Sequence, residues 1–555
     1  MECGPMAQLH VEQVGGVRKA LAEAARTDES SAERVAKRFI ELRPGMTDKL
    51  GARRHHLLTG RRGTGKSTLL HVVRKRLVDD GVAVAAVDME RFKGREFPDV
   101  LIEILIALLG EVRPRIRPKH LVADLRLRAQ VAALRRELKQ ALNDPQSVKL
   151  RVERKASSGK SAVVSSAAGG SYKGVGAKGD ASASKSTSSV TSAEAEYEEL
   201  KIERLQELAP RIADVLTALV QRSSDQHAIV FVDDYYFVRL EDQPQVLAYL
   251  HQVCKGTGVW LKIGGVGTRL RPYSEGNPPV GMQPTQDIDR LALDVTLDDF
   301  ATAQRFLEDM LDGVLSDFKV TSAALFSETA RNRMVLACGG AVARDYITLT
   351  DAALDEAVER MSKAGSYTNG TAVNIQSADV HRAVRKRLNT KEEEELSIDA
   401  GSDAPAISAR WRDICEFTRE SGDIAFILVK QSDLDGTPWG KEIQQLESLR
   451  LLHRIKDTVP NTPNWRGIKT MAFMVDLAQV ADQRLRTGIP EFWKGTAEFD
   501  KLRRAEWVYS PDWKNHQSKH ISAQKDGKPI TDPAAVEPEP LFDLDALTAE
   551  PDAAV

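Results

Sequence analysis

The nine residues Gly60-Arg61-Arg62-Gly63-Thr64-Gly65-Lys66-Ser67-Thr68 constrain this chain more than any other stretch. They fit the pattern G-x-x-x-x-G-K-[ST]. Ahead of them, His55-His56-Leu57-Leu58-Thr59 reads as a short strand, and behind them Lys66 to Leu77 carries apolar residues at helical spacing. Gly60, Gly63 and Gly65 let the backbone turn without a Cβ, so that successive N–H groups point inward at phosphate oxygens. The helix that starts there adds its positive N-terminal end. Lys66 is placed as the mobile cation for β- and γ-phosphates, and Ser67 as a hydroxyl ligand for Mg²⁺. Strand, glycine loop and helix in this order predict a nucleotide-phosphate cradle made by all nine residues, Gly60 to Thr68.

A chain of 555 residues is long enough for roughly three or four domains. Hydrophobic residues at 42% and charged residues at 28% are ordinary for a soluble protein, and a net charge of −2 does not select a partner. Cys3, Cys254, Cys338 and Cys415 are scattered with no C-x-x-C pair, which points to free thiols in a reducing compartment. Met1-Glu2-Cys3-Gly4-Pro5 lacks the basic start and apolar run of a signal peptide, and the apolar run Val100–Leu109 is too short to span a bilayer. The expectation is a soluble, cytoplasmic protein with no membrane partner.

Along the chain, residues 1–48 read as a helical segment. Val82 to Asp88 is a continuous apolar run of the kind found in strands buried on both faces. Helices are predicted from Asp99 to about Val112 and from Leu121 to Leu142. An insertion at about 145–195 is rich in Ser, Gly and Lys and too poor in large apolar residues to form a core. It reads as a flexible basic linker, with contact to nucleic acid as the alternative. Helical pattern resumes from Glu194 to about Arg222.

Ala228-Ile229-Val230-Phe231-Val232-Asp233-Asp234 is an apolar strand that ends in two carboxylates. Beside the phosphate loop, its tip would deliver Asp233 to the Mg²⁺ shell and leave Asp234 to orient or deprotonate the attacking water. Gly258 to Gly265 is another buried strand, and Leu291 to Val295 a fifth. From Leu297 to about Met361 the pattern is wholly helical, and Gly339-Gly340 precedes a third helix whose first turn holds Arg344 and Asp345.

These pieces together resemble the AAA+ ATPases among the P-loop NTPases, and within them the origin-recognition and replication-initiator clade, including its bacterial members. The phosphate loop Gly60–Thr68, the Asp233–Asp234 strand and the Gly339-Gly340…Arg344-Asp345 helix occur in that clade's order, over about residues 30–515. The resemblance implies a parallel α/β sheet over 49–296, a helical lid over 297–370, a winged-helix-like α+β domain over 371–515 and an acidic disordered tail over 516–555. It implies binding and hydrolysis of ATP with Mg²⁺, with Thr268 as the polar sensor at a strand tip and Arg344 as the lid arginine that reaches the γ-phosphate. Asp234 departs from the Glu usual at its position. The Gly-rich sequence around Gly264-Gly265 departs from the Asn or Ser common at the sensor; both departures are compatible with STAND-type regulatory ATPases, and a STAND-like ATPase of a phage-defence system acting through a partner protein is the alternative.

In the winged-helix-like region, Gln444 to Ile455 is the expected recognition helix, carrying Arg450, His453 and Arg454, with Lys456 just beyond. Met471 to Asp476 is the expected wing strand, and Lys501-Leu502-Arg503-Arg504 is a second basic cluster. Two readings stand side by side: double-stranded DNA binding through this surface, and contact with a protein partner or a second copy of the chain. Six of the seven tryptophans lie at 411 or later, which predicts a separate core for this region.

Overall fold

The computed structural model describes residues 8–25, 39–111, 121–143, 181–222 (backbone only for 181–198), 226–390, 404–421, 424–459, 468–480, 489, 491–495, 502 and 508–515. Most of the basic insertion, the charge run Lys391–Glu395, the cluster at 501–504 apart from Leu502, and the tail from 516 lie outside the described residues.

The apolar runs of the sequence form the centre. β1 (His56–Thr59), β2 (Ala83–Asp88), β3 (Ala228–Asp233), β4 (Val259–Gly265) and β5 (Asp289–Ala292) make a five-stranded sheet in the order β2-β3-β4-β1-β5. Every pair in it is parallel. Because side chains alternate along a strand, the sheet feeds two cores. Leu58, Ile229 and Phe231 enter one, and Leu57, Val230, Val232, Leu261 and Ile263 enter the other. The first core is covered by α1 (Val14–Ala24) and α2 (Lys66–Asp79). The second is covered by α3 (Asp99–Glu111), α4 (Leu121–Asn143), α5 (Ala181–Val220) and α6 (Gln243–Cys254). The last strand starts two residues, and ends three residues, earlier than its sequence suggests. After Leu293 donates to the Thr59 carbonyl (2.8 Å), the Asp294 carboxylate turns to accept from the Arg61 backbone N–H (2.9 Å), and the chain leaves the sheet.

The lid consists of α7 (Phe300–Leu315), α8 (Glu328–Cys338) and α9 (Ala343–Lys363), followed by α10 (Ser377–Thr390). Asp299 and Ser327 cap the first two by accepting from Thr302 N and Ala330 N, each at 3.3 Å. Gly339, at φ +63°, ends α8 in the left-handed conformation that glycine adopts without a Cβ clash.

The C-terminal region runs α11 (Ala404–Glu420), β6 (Phe426–Lys430), a short helix Gln431–Gly436, α12 (Pro438–Ser448), β7 (Leu452–Val459) and β8 (Thr470–Val475). Its antiparallel sheet has the order β6-β8-β7. One face has its own core with Trp411, Phe417, Tyr509 and Trp513, as the tryptophan distribution predicts. The other face, through Phe426, Leu428, Ala472 and Met474, shares the core that runs from α2 through the lid.

The expected recognition helix Gln444–Ile455 is formed only as far as Ser448. α12 stops there, Arg450 takes φ +63°, and Leu452–Val459 is a strand. Leu446, Leu449 and Leu452 share helical spacing, but the left-handed residue breaks the helix, and the following residues pair with β8. Met471–Asp476, expected as a wing, supplies the central strand of its sheet. No described helix is long and apolar enough to cross a membrane.

Candidate functional site

The site opens at the C-terminal ends of the parallel strands, where β1 runs through the glycine loop into α2. Gly65 at φ +89° starts the helix, and Gly63 at φ +82° passes so close to the lid that a Cβ there would stand 3.0 Å from Arg344 Cβ. Lys66 is buried and folded back on the loop, donating to the carbonyls of Gly60 (3.0 Å) and Arg61 (2.9 Å). Burial pushes its ammonium below the ordinary lysine value, against the pull of Asp234, Asp233 and Asp294. The loop is closed on itself as well: the Gly60 N–H donates to the Gly265 carbonyl (3.3 Å) and the Thr64 N–H to the Arg61 carbonyl (3.5 Å).

Seven of the nine loop residues, Arg62 to Thr68, line a cavity of about 1270 Å³. Gly60 and Arg61 do not. A Cβ on Gly60 would stand 2.7 Å from Thr64 Oγ1, so this glycine allows the loop to close on itself. The Arg61 side chain is buried and turned away from the cavity, bonded to Asp294 (3.3 Å) and to the Gly339 carbonyl (3.0 Å). Arg62 lies over the Tyr236 ring, 5.5 Å from its centre.

Three carboxylates meet at the cavity floor. Asp233 accepts a hydrogen bond from the Asp234 backbone N–H (2.8 Å), and burial pushes its carboxyl up, against the pull of the nearby Ser67 hydroxyl. Gly264 on β4 makes room for it, since a Cβ there would stand 2.9 Å from Asp233 Oδ1. Asp234 holds φ +51°, an uncommon conformation for a non-glycine residue. Burial first, and the Asp233 charge second, push its carboxyl up to about 6. Asp88, at the end of β2 and in register with Asp233, is the third. Sequence reasoning missed it, although its apolar run ending in Asp has the form of the Ala228–Asp233 run. Also missed were Tyr236 and the apolar part of the cavity lining, which includes Phe39, Ile40, Phe306, Met310, Phe318 and Ile347.

Arg344 reaches the cavity as expected. Its backbone N–H donates to the Gly63 carbonyl (3.1 Å) and its side chain lines the space beside the loop. Thr268 does not reach it. The turn Gly267–Arg269 carries the Thr268 hydroxyl to Ser448 Oγ (2.7 Å) at the junction with the C-terminal region. β4 ends in Gly264 and Gly265, with no polar side chain at its tip. The basic residues expected on DNA are also engaged internally. Arg450 bonds Asp345 (2.5 Å), His453 meets Asp476 (3.1 Å), and Arg454 pairs with Glu447 (2.7 Å) and Asp457 (2.9 Å).

No protein-family profile and no curated protein matches this sequence. Solved structures of similar shape include the Aeropyrum pernix ORC2 protein in its ADPNP–ADP complexes, at 14% identity and TM-score 0.33, over 82% of this chain and 93% of that one. The Aeropyrum pernix ORC1 protein in complex with DNA matches at 12% identity and TM-score 0.31, over 84% and 96%. Drosophila ORC bound to DNA matches at 11% identity and TM-score 0.26, over 85% and 99%. Scores this low leave the fold to rest on what the chain itself displays. It is a parallel α/β sheet with a phosphate-type loop at its centre and a helical lid, followed by an α+β C-terminal domain.

Proposed function

We propose that this chain is an AAA+-type ATPase that binds ATP with Mg²⁺, hydrolyses it, and uses the nucleotide state to control duplex DNA or a protein partner through its C-terminal domain. The observation that carries the reading is that Ser67, in the first turn of the loop helix, and Asp233, at the acidic strand tip, line one cavity beside Lys66. A hydroxyl and a carboxylate placed in this way suit Mg²⁺, which takes one or two protein oxygens and fills its shell with phosphate and water. Bound there, the ion would neutralise charge on the phosphates. Lys66 would leave the Gly60 and Arg61 carbonyls for the β- and γ-phosphates, and the loop amides would hold the remaining oxygens. Asp234 would orient the attacking water and accept its proton, and Arg344 would face the γ-phosphate from the lid. The apolar part of the lining, with Phe39, Phe306 and Ile347, suits a purine base.

The C-terminal order of helix, strand, two helices and two strands suits a winged helix, with α12 in the recognition position. Because Arg450, His453 and Arg454 are engaged within the chain, the nucleotide state would act first on how this domain sits on the lid. Steady-state ATP turnover with and without duplex DNA tests the reading. Wild type is expected to turn over ATP and Lys66→Ala to lose at least about a hundredfold. Turnover that rises with DNA selects DNA as the controlled partner, and turnover indifferent to DNA selects a protein. Equal rates in wild type and Lys66→Ala would remove the assignment.

A further inference from the structure

The first turn of α9 faces two ways. Successive residues of a helix are rotated by about 100°, so neighbours in sequence serve different surroundings. Arg344 lines the nucleotide cavity, while Asp345 is buried against the other side and accepts from Arg387 Nη2 of α10 (2.9 Å) and from Arg450 Nη1 of the C-terminal domain (2.5 Å). A buried carboxylate is stable only when paired and hydrogen-bonded, so the two guanidinium groups fix where this turn can lie. Arg450 is itself buried and held at φ +63°, between the end of α12 and the start of β7. A second contact runs in parallel. The Arg61 guanidinium of the phosphate loop holds the Gly339 carbonyl, and the other side of Gly339 meets the His453 ring so closely that a Cβ there would stand 1.9 Å from Nδ1.

We infer that Asp345, clamped by Arg387 and Arg450, is the positioning residue for Arg344, so that the C-terminal domain sets whether the lid arginine can face the γ-phosphate. The inference rests on the proposed role of Arg344 in nucleotide binding. It gives Arg450 a task inside the chain and gives the C-terminal domain a route by which the nucleotide state is felt. Nucleotide with a γ-phosphate favours one placement of Arg344, that placement moves Asp345, and Asp345 carries Arg450 with it. By linkage, seating of the C-terminal domain must then favour triphosphate over diphosphate by the same factor.

The test is a titration of the full chain with ADP and with ATPγS, both in Mg²⁺, reading the ratio of the two affinities. Arg344→Ala gives the ratio with the lid arginine gone. Arg450→Gln and Arg387→Gln are each expected to lower the ratio by about fivefold or more, towards that of Arg344→Ala. ADP affinity should stay within about twofold, because Arg344 meets only the γ-phosphate. Arg344→Ala/Arg450→Gln should be no lower than Arg344→Ala alone, the signature of two residues acting through one contact. Arg450→Lys, which keeps the charge, should recover most of the ratio. A purely structural role for the clamp would lower thermal stability and leave the ratio alone. The inference is overturned if both Gln variants keep the wild-type preference for ATPγS, or if the double variant loses the product of the two single losses. A wild-type chain that binds neither nucleotide overturns the proposed function instead, a result distinct from either of these.

Discussion

At the scale of single residues, the chemistry is concentrated in side chains held away from their ordinary state. Asp234 shows this most clearly. Its carboxyl is raised from an ordinary value of 3.8 to about 6, chiefly by burial. A raised carboxyl pKa means that the folded state holds a proton the unfolded chain has released, so folding stability falls as pH rises through this window and the loss is complete above it. Asp234→Asn removes the ionised group and is expected to stabilise the nucleotide-free protein at pH 7.5 by about 1–2 kcal/mol, allowing for solvent screening at this half-buried position. The gain should vanish near pH 4. Thermal melts of both proteins at the two pH values check this, and the same variant should abolish turnover if Asp234 takes the proton from water. A residue that weakens the fold and is needed for turnover is the pattern expected of a functional acid.

At the scale of elements, the lid helix begins at a pair of glycines that the rest of the fold surrounds. Gly340, at φ +113°, leaves no space: a Cβ there would stand 2.2 Å from the Val295 carbonyl oxygen, backbone against backbone. Gly340→Ala is therefore expected to cost about 3 kcal/mol or more, while Gly365→Ala, at φ +67° with nothing within 4 Å of its Cβ, should cost about 1 kcal/mol. Urea denaturation of the two variants would show the difference, and equal losses would contradict the packing described for this turn. Elements of this kind were partly legible in the sequence. The parallel strands were legible because burial on both faces writes them as unbroken apolar runs, and the loop because its glycines and lysine have few other uses. Asp88 escaped because one carboxylate at the end of a strand carries no signal until its neighbour in the sheet is known. Arg450 to Lys456 were misread because Leu446, Leu449 and Leu452 keep helical spacing past the point where Arg450 turns left-handed. Thr268 was assigned by its place after β4, and a turn that local pattern does not specify carries it to Ser448.

At the scale of the whole molecule, one hydrophobic core runs from the loop helix through the lid to a face of the C-terminal sheet. The C-terminal domain is thus continuous with the site, although its second face has a tryptophan-rich core of its own. Two polar contacts follow the same seam, Thr268 on Ser448 and Lys456 on Asp298 (2.5 Å), and Phe300 stacks on Trp493 with ring centres 4.2 Å apart. Arg450 and Lys456, which sequence alone offered to DNA, bond across this seam to Asp345 and Asp298. In the proposed function the nucleotide is the effector and the seam the responder, so the cavity must be a nucleotide site. Calorimetric titration of the full chain with ATP, with and without Mg²⁺, for wild type and Lys66→Ala, tests this. One ATP per chain is expected, with affinity strengthened by Mg²⁺ and a loss of at least about tenfold in the variant. Equal affinity in the two proteins, or no binding to wild type in the presence of Mg²⁺, would contradict it.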